Sequence, residues 1–195
     1  MVYIMLKDKL RKQFIKLRSN IVPSEKEKKD QKIFENIIKT KEYKNCDILL
    51  CYIATENEIE TKNLINKAIK DKKTVAVPFS LPDFNLEFYK VNSIDKLKKG
   101  ILGIKEPEQI KANKIENFKN ALAIIPAVCF SKDFHRIGYG KGYYDRFLKN
   151  FDGVSMGLCV SECIIENDSQ HKWSEENDIT VDIIVTETEI ARKKY

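Results

Sequence analysis

In its last third the sequence reads Arg136-Ile137-Gly138-Tyr139-Gly140-Lys141-Gly142-Tyr143-Tyr144-Asp145-Arg146-Phe147-Leu148, and this run decides how the rest of the chain is interpreted. Three of the seven glycines of the chain, Gly138, Gly140 and Gly142, lie within five consecutive residues of this run. Alternating glycines permit positive φ and expose backbone N–H groups, while Arg136 and Lys141 supply cations. The residues from Tyr143 onward are typical of the start of a helix, which would direct further N–H groups at the same ligand. The run therefore predicts a phosphate-binding loop between a strand and a helix.

The run differs from the two best-known phosphate loops. A dinucleotide fingerprint places its third glycine one residue later, and a P-loop has Ser or Thr after its lysine, where this chain has Gly142. A plain surface turn is therefore the alternative. Asp145 favours the functional interpretation, because a carboxylate in the first turn would repel a phosphate unless a divalent cation lay between them. The run thus indicates a nucleotide with Mg²⁺.

The composition fits a single compact α/β domain over residues 1–195. Apolar residues make up 43% of the chain, and no long Gly/Ser-rich or Pro-rich linker interrupts it. No apolar run approaches the roughly 20 residues that a membrane helix needs, so we expect a cytoplasmic protein with no membrane partner. The net charge of +6 is spread over lysines in nearly every segment, which argues against a nucleic-acid partner.

Other residue types exclude several kinds of site. The two histidines, His135 and His171, lie in polar segments without a nearby nucleophile, so acyl-transfer triads and imidazole metal sites are not expected. The cysteines are odd in number, lack C-x-x-C spacing and lie mostly in or beside apolar runs. We predict that they are reduced core residues: Cys46, Cys51, Cys129, Cys159 and Cys163.

Hydrophobic patterns predict alternating helices and strands, hence a layered α/β sheet. An amphipathic helix carries Leu6, Leu10, Phe14 and Leu17, and a second follows Pro23 with Ser24 as its N-cap. A third begins after Thr61, and Ser93–Lys99 is expected to be a short helical connection. The predicted strands are Asp47–Ala54, Thr74–Phe79, Leu86–Val91, Ala121–Phe130, Val154–Val160 and Ile179–Thr186.

Further site candidates lie outside the glycine run, and each has a structural alternative. Lys7 and Arg11 share a helix face and would reach one phosphate together, or they are a solvated pair. Glu58 follows the first strand, where ligands of α/β sheets gather, so it would bind an amino-pyrimidine edge or simply complement a helix dipole. Asp182 lies inside the last predicted strand, where it either faces solvent near the strand's end or serves a site.

The glycine run closely resembles the characteristic segment of the 5-formyltetrahydrofolate cyclo-ligase family, also called methenyltetrahydrofolate synthetases. Four other segments are similar to motifs of that family in the same order, so the resemblance spans almost the whole chain. These segments are Lys7–Arg11, Glu58–Thr61, Gly103–Pro107 and Val181–Glu187.

The resemblance implies a three-layer α/β sandwich with a mostly parallel central sheet, Rossmann-like and related to sugar-phosphate isomerases and CoA transferases. It also implies a monomer that uses ATP and Mg²⁺ to cyclise 5-formyltetrahydrofolate, with or without a polyglutamate tail, to 5,10-methenyltetrahydrofolate. Arg136, Lys141 and Tyr143 would be catalytic. Lys7, Arg11, Arg136 and the loop from Gly138 to Tyr144 would hold the nucleotide, Ile53, Glu58, Tyr139 and Tyr143 the folate, and Asp145 and Asp182 the metal.

The chain departs from the family pattern at a few positions. Ser131 and Phe134 replace Asp and Gly before the arginine, Leu102 stands where an aromatic residue is common, and Asn177 stands where many members have His. Two rival functions also remain. A phosphosugar isomerase or acyl-CoA transferase would act without ATP, and a nucleotide- or RNA-binding module would have no chemistry at all.

Overall fold

The computed structural model describes residues 2–100, 103–166 and 178–194, so the expectations at Leu102, His171 and Asn177 lie outside the described residues. The chain contains both helices and strands, as the sequence predicts, but they do not alternate strictly, because within these ranges three helices precede the first strand and eight strands lie between the last two α-helices. The α-helices are α1 (Val2–Ser19), α2 (Pro23–Lys39), α3 (Lys41–Asn45), α4 (Lys62–Lys70) and α5 (Tyr143–Lys149), and short 3₁₀ turns cover Lys111–Asn113 and Ser161–Cys163.

The strands range from two to seven residues. They are β1 (Ile48–Cys51), β2 (Thr74–Ser80), β3 (Leu86–Lys90), β4 (Lys98–Lys99), β5 (Lys105–Glu106), β6 (Lys114–Ile115), β7 (Ala121–Pro126), β8 (Cys129–Ser131), β9 (Arg136–Ile137), β10 (Val154–Leu158), β11 (Ile164–Ile165), β12 (Ile183–Val185) and β13 (Ile190–Arg192).

A large sheet forms the centre of the fold. Within the described ranges it has eight strands in the order β13-β12-β10-β7-β1-β2-β3-β6. The strands from β12 to β2 run parallel, and β13, β3 and β6 are added antiparallel at the two sides. Apolar runs such as Ala121–Ile125 suit this centre because a parallel sheet is covered on both faces. The predicted mixed α/β sheet flanked by helices is confirmed.

The helices pack on the strands, and a small second sheet directly precedes the glycine loop. α4 packs on β1 and β2, α2 on β12, and α1 on β9. β8 pairs with β9 and β11, and the Phe130 ring of β8 lies so close to Gly157 that a side chain there would collide with it. α5 is held by aromatic contacts, because Phe147 lies 4.8 Å from Phe88 and 5.6 Å from Phe118 between ring centres.

Three local predictions were wrong. Ser93–Lys99 is not helical, because the Ser93 hydroxyl accepts from the Asp95 N–H and stabilises a turn instead. Ser24 is not an N-cap, since α2 begins at Pro23, the residue that favours the first helical position, after Val22. Asp182 precedes β12 and does not lie within it.

Two other predicted strands are longer than the strands that the structure shows. The apolar run Ala121–Phe130 divides into β7 and β8, because the chain leaves the main sheet after Pro126. β1 ends at Cys51, three residues before Ala54, so Ile53 lies in the loop beyond the strand.

The core confirms the prediction for the cysteines. All five are free and buried, and burial raises the pKa of the Cys163 thiol to about 11. None of the described helices is both long enough and apolar enough to cross a membrane.

Candidate active site

The glycine run forms a loop between β9 and α5. Gly140 has φ of +93° and Gly142 has φ of +71°, a left-handed conformation that disfavours side chains. Gly142 is the N-cap of α5. Because glycine has no side chain, no side-chain oxygen at this position caps the first N–H groups of the helix. The predicted order of strand, glycine loop and helix is therefore confirmed.

Arg136 is the most deeply buried charged side chain of this loop. Its side chain is 5% exposed, and Nη2 lies 2.8 Å from Asp145 Oδ1. Among the described residues neither Nε nor Nη2 has a hydrogen-bond partner, so the contact with Asp145 is an ion pair without hydrogen-bond geometry. The Tyr144 ring, 5.7 Å from Cζ, covers the same guanidinium. A guanidinium with unused donors in a buried loop is suited to bind an anion.

Helix α1 contributes Arg11 to the loop. Arg11 Nε donates to Gly138 O at 2.7 Å, and the guanidinium lies 3.4 Å from the position that a Cβ on Gly140 would occupy. Asp8 accepts a short hydrogen bond from Nη1. Lys7, one turn earlier, donates to Asp178 Oδ1 at 2.8 Å and Oδ2 at 2.6 Å. α1 thus holds Arg11 against the glycines and Lys7 against the segment before β12.

Glu58 lies at the carboxyl end of β1 among tyrosines. It is buried, and its Oε2 accepts from the Thr55 N–H and hydroxyl, both at 2.8 Å. Tyr139 as a residue is 48% exposed, but burial of its hydroxyl end raises the pKa to about 12, and the nearby Glu58 carboxylate adds to the effect. Burial and Glu58 also raise the pKa of Tyr144. Both hydroxyls therefore stay protonated at neutral pH.

Tyr143 connects the loop to the turn between β2 and β3. Its hydroxyl donates to Leu81 O at 3.2 Å, and its ring lies 5.7 Å from the Phe84 ring. A hydrogen bond stabilises the start of this turn, because the buried Glu106 Oε1 accepts from the Ser80 N–H at 3.2 Å. Glycine is required at position 100, next to Glu106, since a side chain at this position would collide with the Glu106 carboxylate.

The structure brings some of the predicted residues together and leaves others apart. Arg11, Arg136 and Asp145 converge on the glycine loop, and Tyr139 and Tyr144 join it to Glu58. Asp182 lies before β12, where Oδ2 accepts from the Ser155 N–H at 2.8 Å and hydroxyl at 2.6 Å. No group of three or more His, Cys, Asp or Glu side chains suited to a metal ion occurs in the described part of the chain.

Sequence reasoning missed Arg18. Its Nη1 donates to Ala127 O at 2.8 Å, and its charge lowers the pKa of Tyr139, opposing the effect of Glu58. The signal was available, because Arg18 follows Lys7 by eleven residues and Arg11 by seven, which places all three on one helical face.

Phe134 explains one departure from the family pattern. It has φ of +70°, so the glycine that many members carry at this position suits the backbone. Here the ring packs against the core, which offsets the strain.

Comparison with known proteins identifies the family of this chain. The sequence model of the 5-formyltetrahydrofolate cyclo-ligase family matches residues 4–187. A probable 5-formyltetrahydrofolate cyclo-ligase of Caenorhabditis elegans is 33% identical, with 82% of this chain and 84% of that protein covered. The cyclo-ligase of Mycoplasma genitalium is 32% identical over 73% of this chain and 76% of its own length.

Solved structures show the same fold. The 5,10-methenyltetrahydrofolate synthetase of Aquifex aeolicus superposes with a TM-score of 0.80 at 29% identity, covering 96% of this chain and 92% of that one. The synthetase of Mycoplasma pneumoniae, at 22% identity, has a TM-score of 0.72 over 93% of this chain and 98% of its own, a likeness of fold. The chain belongs to the 5-formyltetrahydrofolate cyclo-ligase family.

Proposed function

We propose that this protein converts 5-formyltetrahydrofolate to 5,10-methenyltetrahydrofolate in a reaction that consumes ATP, requires Mg²⁺ and releases ADP and phosphate. The observation that carries the proposal is the buried Arg136 guanidinium, whose Nε and Nη2 have no hydrogen-bond partner in the part of the chain that the structure describes. Buried donors without acceptors are costly unless a ligand supplies the acceptors. Phosphate oxygens of a nucleotide would do so, and charge-assisted bonds of this kind are strong.

In the proposed reaction, the formyl oxygen of the folate accepts the γ-phosphoryl group of ATP. N10 then attacks the activated formyl carbon and loses its proton, and the bond from that carbon to the phosphorylated oxygen breaks as phosphate leaves. Phosphoryl transfer depends on positioning and charge neutralisation more than on covalent help from the protein. Arg136 and Lys141 would neutralise the charge on the transferred group, while Arg11 holds the loop through Gly138 O.

The donor set near Arg136 suits Mg²⁺. Asp145 presents carboxylate oxygens, the ligand type that Mg²⁺ prefers, and it is one-third exposed. Asp145 would hold the ion, which would neutralise phosphate charge, whereas the Asp182 carboxylate that the family resemblance suggests as a second ligand is bound by Ser155.

The folate would lie on the Glu58 side of the loop. Glu58 Oε2 is held by Thr55, so the carboxylate is fixed in one orientation toward the tyrosines. Such a carboxylate would accept two parallel hydrogen bonds from the amino-pyrimidine edge of a pterin. Tyr139 and Tyr143 would flank the substrate, and Ile53, in the loop after β1, would add an apolar wall.

The direct test is a turnover assay with the purified protein, MgATP and 5-formyltetrahydrofolate. We expect the near-ultraviolet absorbance of the methenyl product to grow only when ATP, Mg²⁺ and the folate are all present. A folded protein that binds MgATP but gives no absorbance change would overturn the proposal and favour a nucleotide-binding module. Turnover of a phosphosugar without ATP would favour an isomerase.

A further inference from the structure

Phe84 is an exposed aromatic residue in the turn between β2 and β3. It is 42% exposed, and its φ of +64° is unusual for an aromatic residue. The turn is closed by its own hydrogen bonds, because Phe84 N donates to Leu81 O at 3.1 Å and Leu81 N donates to Asn85 O at 3.0 Å. Asn or Gly would suit this backbone better than Phe, so the conformation does not explain the ring.

The ring contacts residues of the glycine loop and α5. Lys141 Nζ lies 6.0 Å from the ring centre, and Arg146 Cζ lies 5.6 Å from it. The Tyr143 ring packs edge-on at 5.7 Å with an interplanar angle of 69°. Arg146 Nη1 also donates to Lys141 O at 3.0 Å. One side chain of the turn therefore contacts two cations and a tyrosine beside the proposed phosphate site.

We infer that Phe84 is a positioning residue for the glycine loop, holding the Lys141 ammonium by a cation–π contact and fixing the Tyr143 ring. The inference rests on the proposed function, because it takes a nucleotide phosphate as the anion that Lys141 meets. A lysine has four rotatable bonds, so an aromatic ring that restricts its head group reduces the entropy lost when an anion binds. Phe84 acts through Lys141 and does not need to touch the nucleotide.

The strained backbone gives this inference a distinctive test. A non-glycine residue in a left-handed conformation costs stability, and such strain concentrates at functional sites. Replacing Phe84 with a residue that accepts this conformation should therefore leave stability unchanged or raise it, while weakening nucleotide binding. A ring that served only stability would give the opposite result.

The experiment compares Phe84→Asn with Phe84→Tyr and the wild type. In Phe84→Asn we expect the Kd for MgATP, measured by calorimetry, to rise about threefold to fivefold, as the loss of a partly exposed cation–π contact predicts. The urea midpoint should not fall. Phe84→Tyr keeps the ring and should bind MgATP within about twofold of the wild type, because cation–π contacts accept either ring.

Lys72→Asn is the matched control. Lys72 has φ of +62° between α4 and β2, so it carries the same kind of strain away from the glycine loop. We expect its replacement to leave the Kd for MgATP unchanged and to raise or preserve stability. A rise in Kd equal to that of Phe84→Asn would overturn the inference.

A double-mutant cycle with Lys141→Ala tests whether the effect passes through Lys141. We expect Phe84→Asn to change the Kd by less than about twofold once Lys141 is absent, since residues in contact are not additive. Full multiplication of the two effects, or an unchanged Kd in Phe84→Asn alone, would overturn the inference. These readouts measure binding, so they are independent of wild-type turnover, which decides the proposed function.

Discussion

Two cations of this protein, one partly buried and one buried, have opposite surroundings. Lys29 of α2 is 14% exposed, and its Nζ lies 2.7 Å from Glu162, 2.8 Å from Glu187 and 3.7 Å from Glu25. Arg136 of β9 is 5% exposed and has one carboxylate, Asp145, at 2.8 Å. The cation that is more deeply buried therefore has fewer anionic neighbours.

We interpret the difference as that between a structural contact and the proposed ligand site. Burial by itself lowers the pKa of Lys29, but hydrogen bonds to Glu162 and Glu187 outweigh it and raise the pKa well above its ordinary value. These pairs join α2 to the loop after β10 and to the end of β12. At Arg136 two nitrogens have no hydrogen-bond acceptor among the described residues, an arrangement that the proposed nucleotide would complete.

The largest effect should come from breaking the Lys29 cluster. Lys29→Met leaves the partly buried Glu187 without its cation, so we expect the free energy of unfolding to fall by about 2 kcal/mol in urea titrations. Turnover per folded molecule should not change. Lys32→Met is the control on the same helix. The Lys32 head group is exposed and forms a weak surface pair with Glu35 at 3.8 Å, so its replacement should lower the free energy of unfolding by less than about 0.5 kcal/mol. A Lys29→Met protein as stable as the wild type would contradict the comparison.

Replacing Arg136 should have the reverse profile. In Arg136→Ala we expect kcat/KM to fall by about tenfold or more, because a contact to developing phosphate charge is lost. The free energy of unfolding should change less than in Lys29→Met. Arg136→Lys should recover only part of the rate, since an ammonium lacks the planar fork of a guanidinium.

Arg192 offers the control for Arg136. It is an arginine of β13 paired with Glu42 at 3.1 Å, and Arg192→Ala should retain the wild-type rate. Wild-type kinetics in Arg136→Ala would remove Arg136 from the site.

The smallest predicted effect is on the stability of the protein at acidic pH. Burial raises the pKa of Glu187, but hydrogen bonds from Lys29 and Ser161 outweigh this, so the pKa is below its ordinary value of 4.5. A carboxylate with a lowered folded-state pKa contributes stability above its unfolded pKa and loses it as the pH falls through the folded pKa. In Glu187→Gln the urea midpoint should therefore fall less between pH about 5 and pH about 3 than in the wild type. Parallel profiles would show that Glu187 is not responsible.

Local patterns in the sequence were sufficient for the centre of the fold. Continuous apolar runs identified β1, β7 and β10, because strands covered on both faces leave a pattern that neighbouring residues reveal. Ser93–Lys99 failed for the opposite reason: side-chain hydrogen bonds from Ser93 stabilise a turn that helical spacing does not detect.

The site was predictable only where a motif or a family resemblance marked it. The glycine run identified the loop, and the helical face of α1 would also have identified Arg18. Phe84 has no comparable signal, because its contacts with Lys141 and Arg146 depend on how a distant turn folds. The Lys29 pair with Glu187 spans 158 positions of the chain, so no local pattern could suggest it.

The contacts of α1 determine when this protein can become competent during synthesis. Arg11 reaches Gly138 across 127 positions, and Lys7 reaches Asp178 across 171. Domains generally fold as units, and contacts between distant residues form slowly because a long loop must close first. A ribosome-bound chain would hold its first helix without the glycine loop until most of the sequence had emerged. Helix α1 is therefore made well before the segments that complete its contacts.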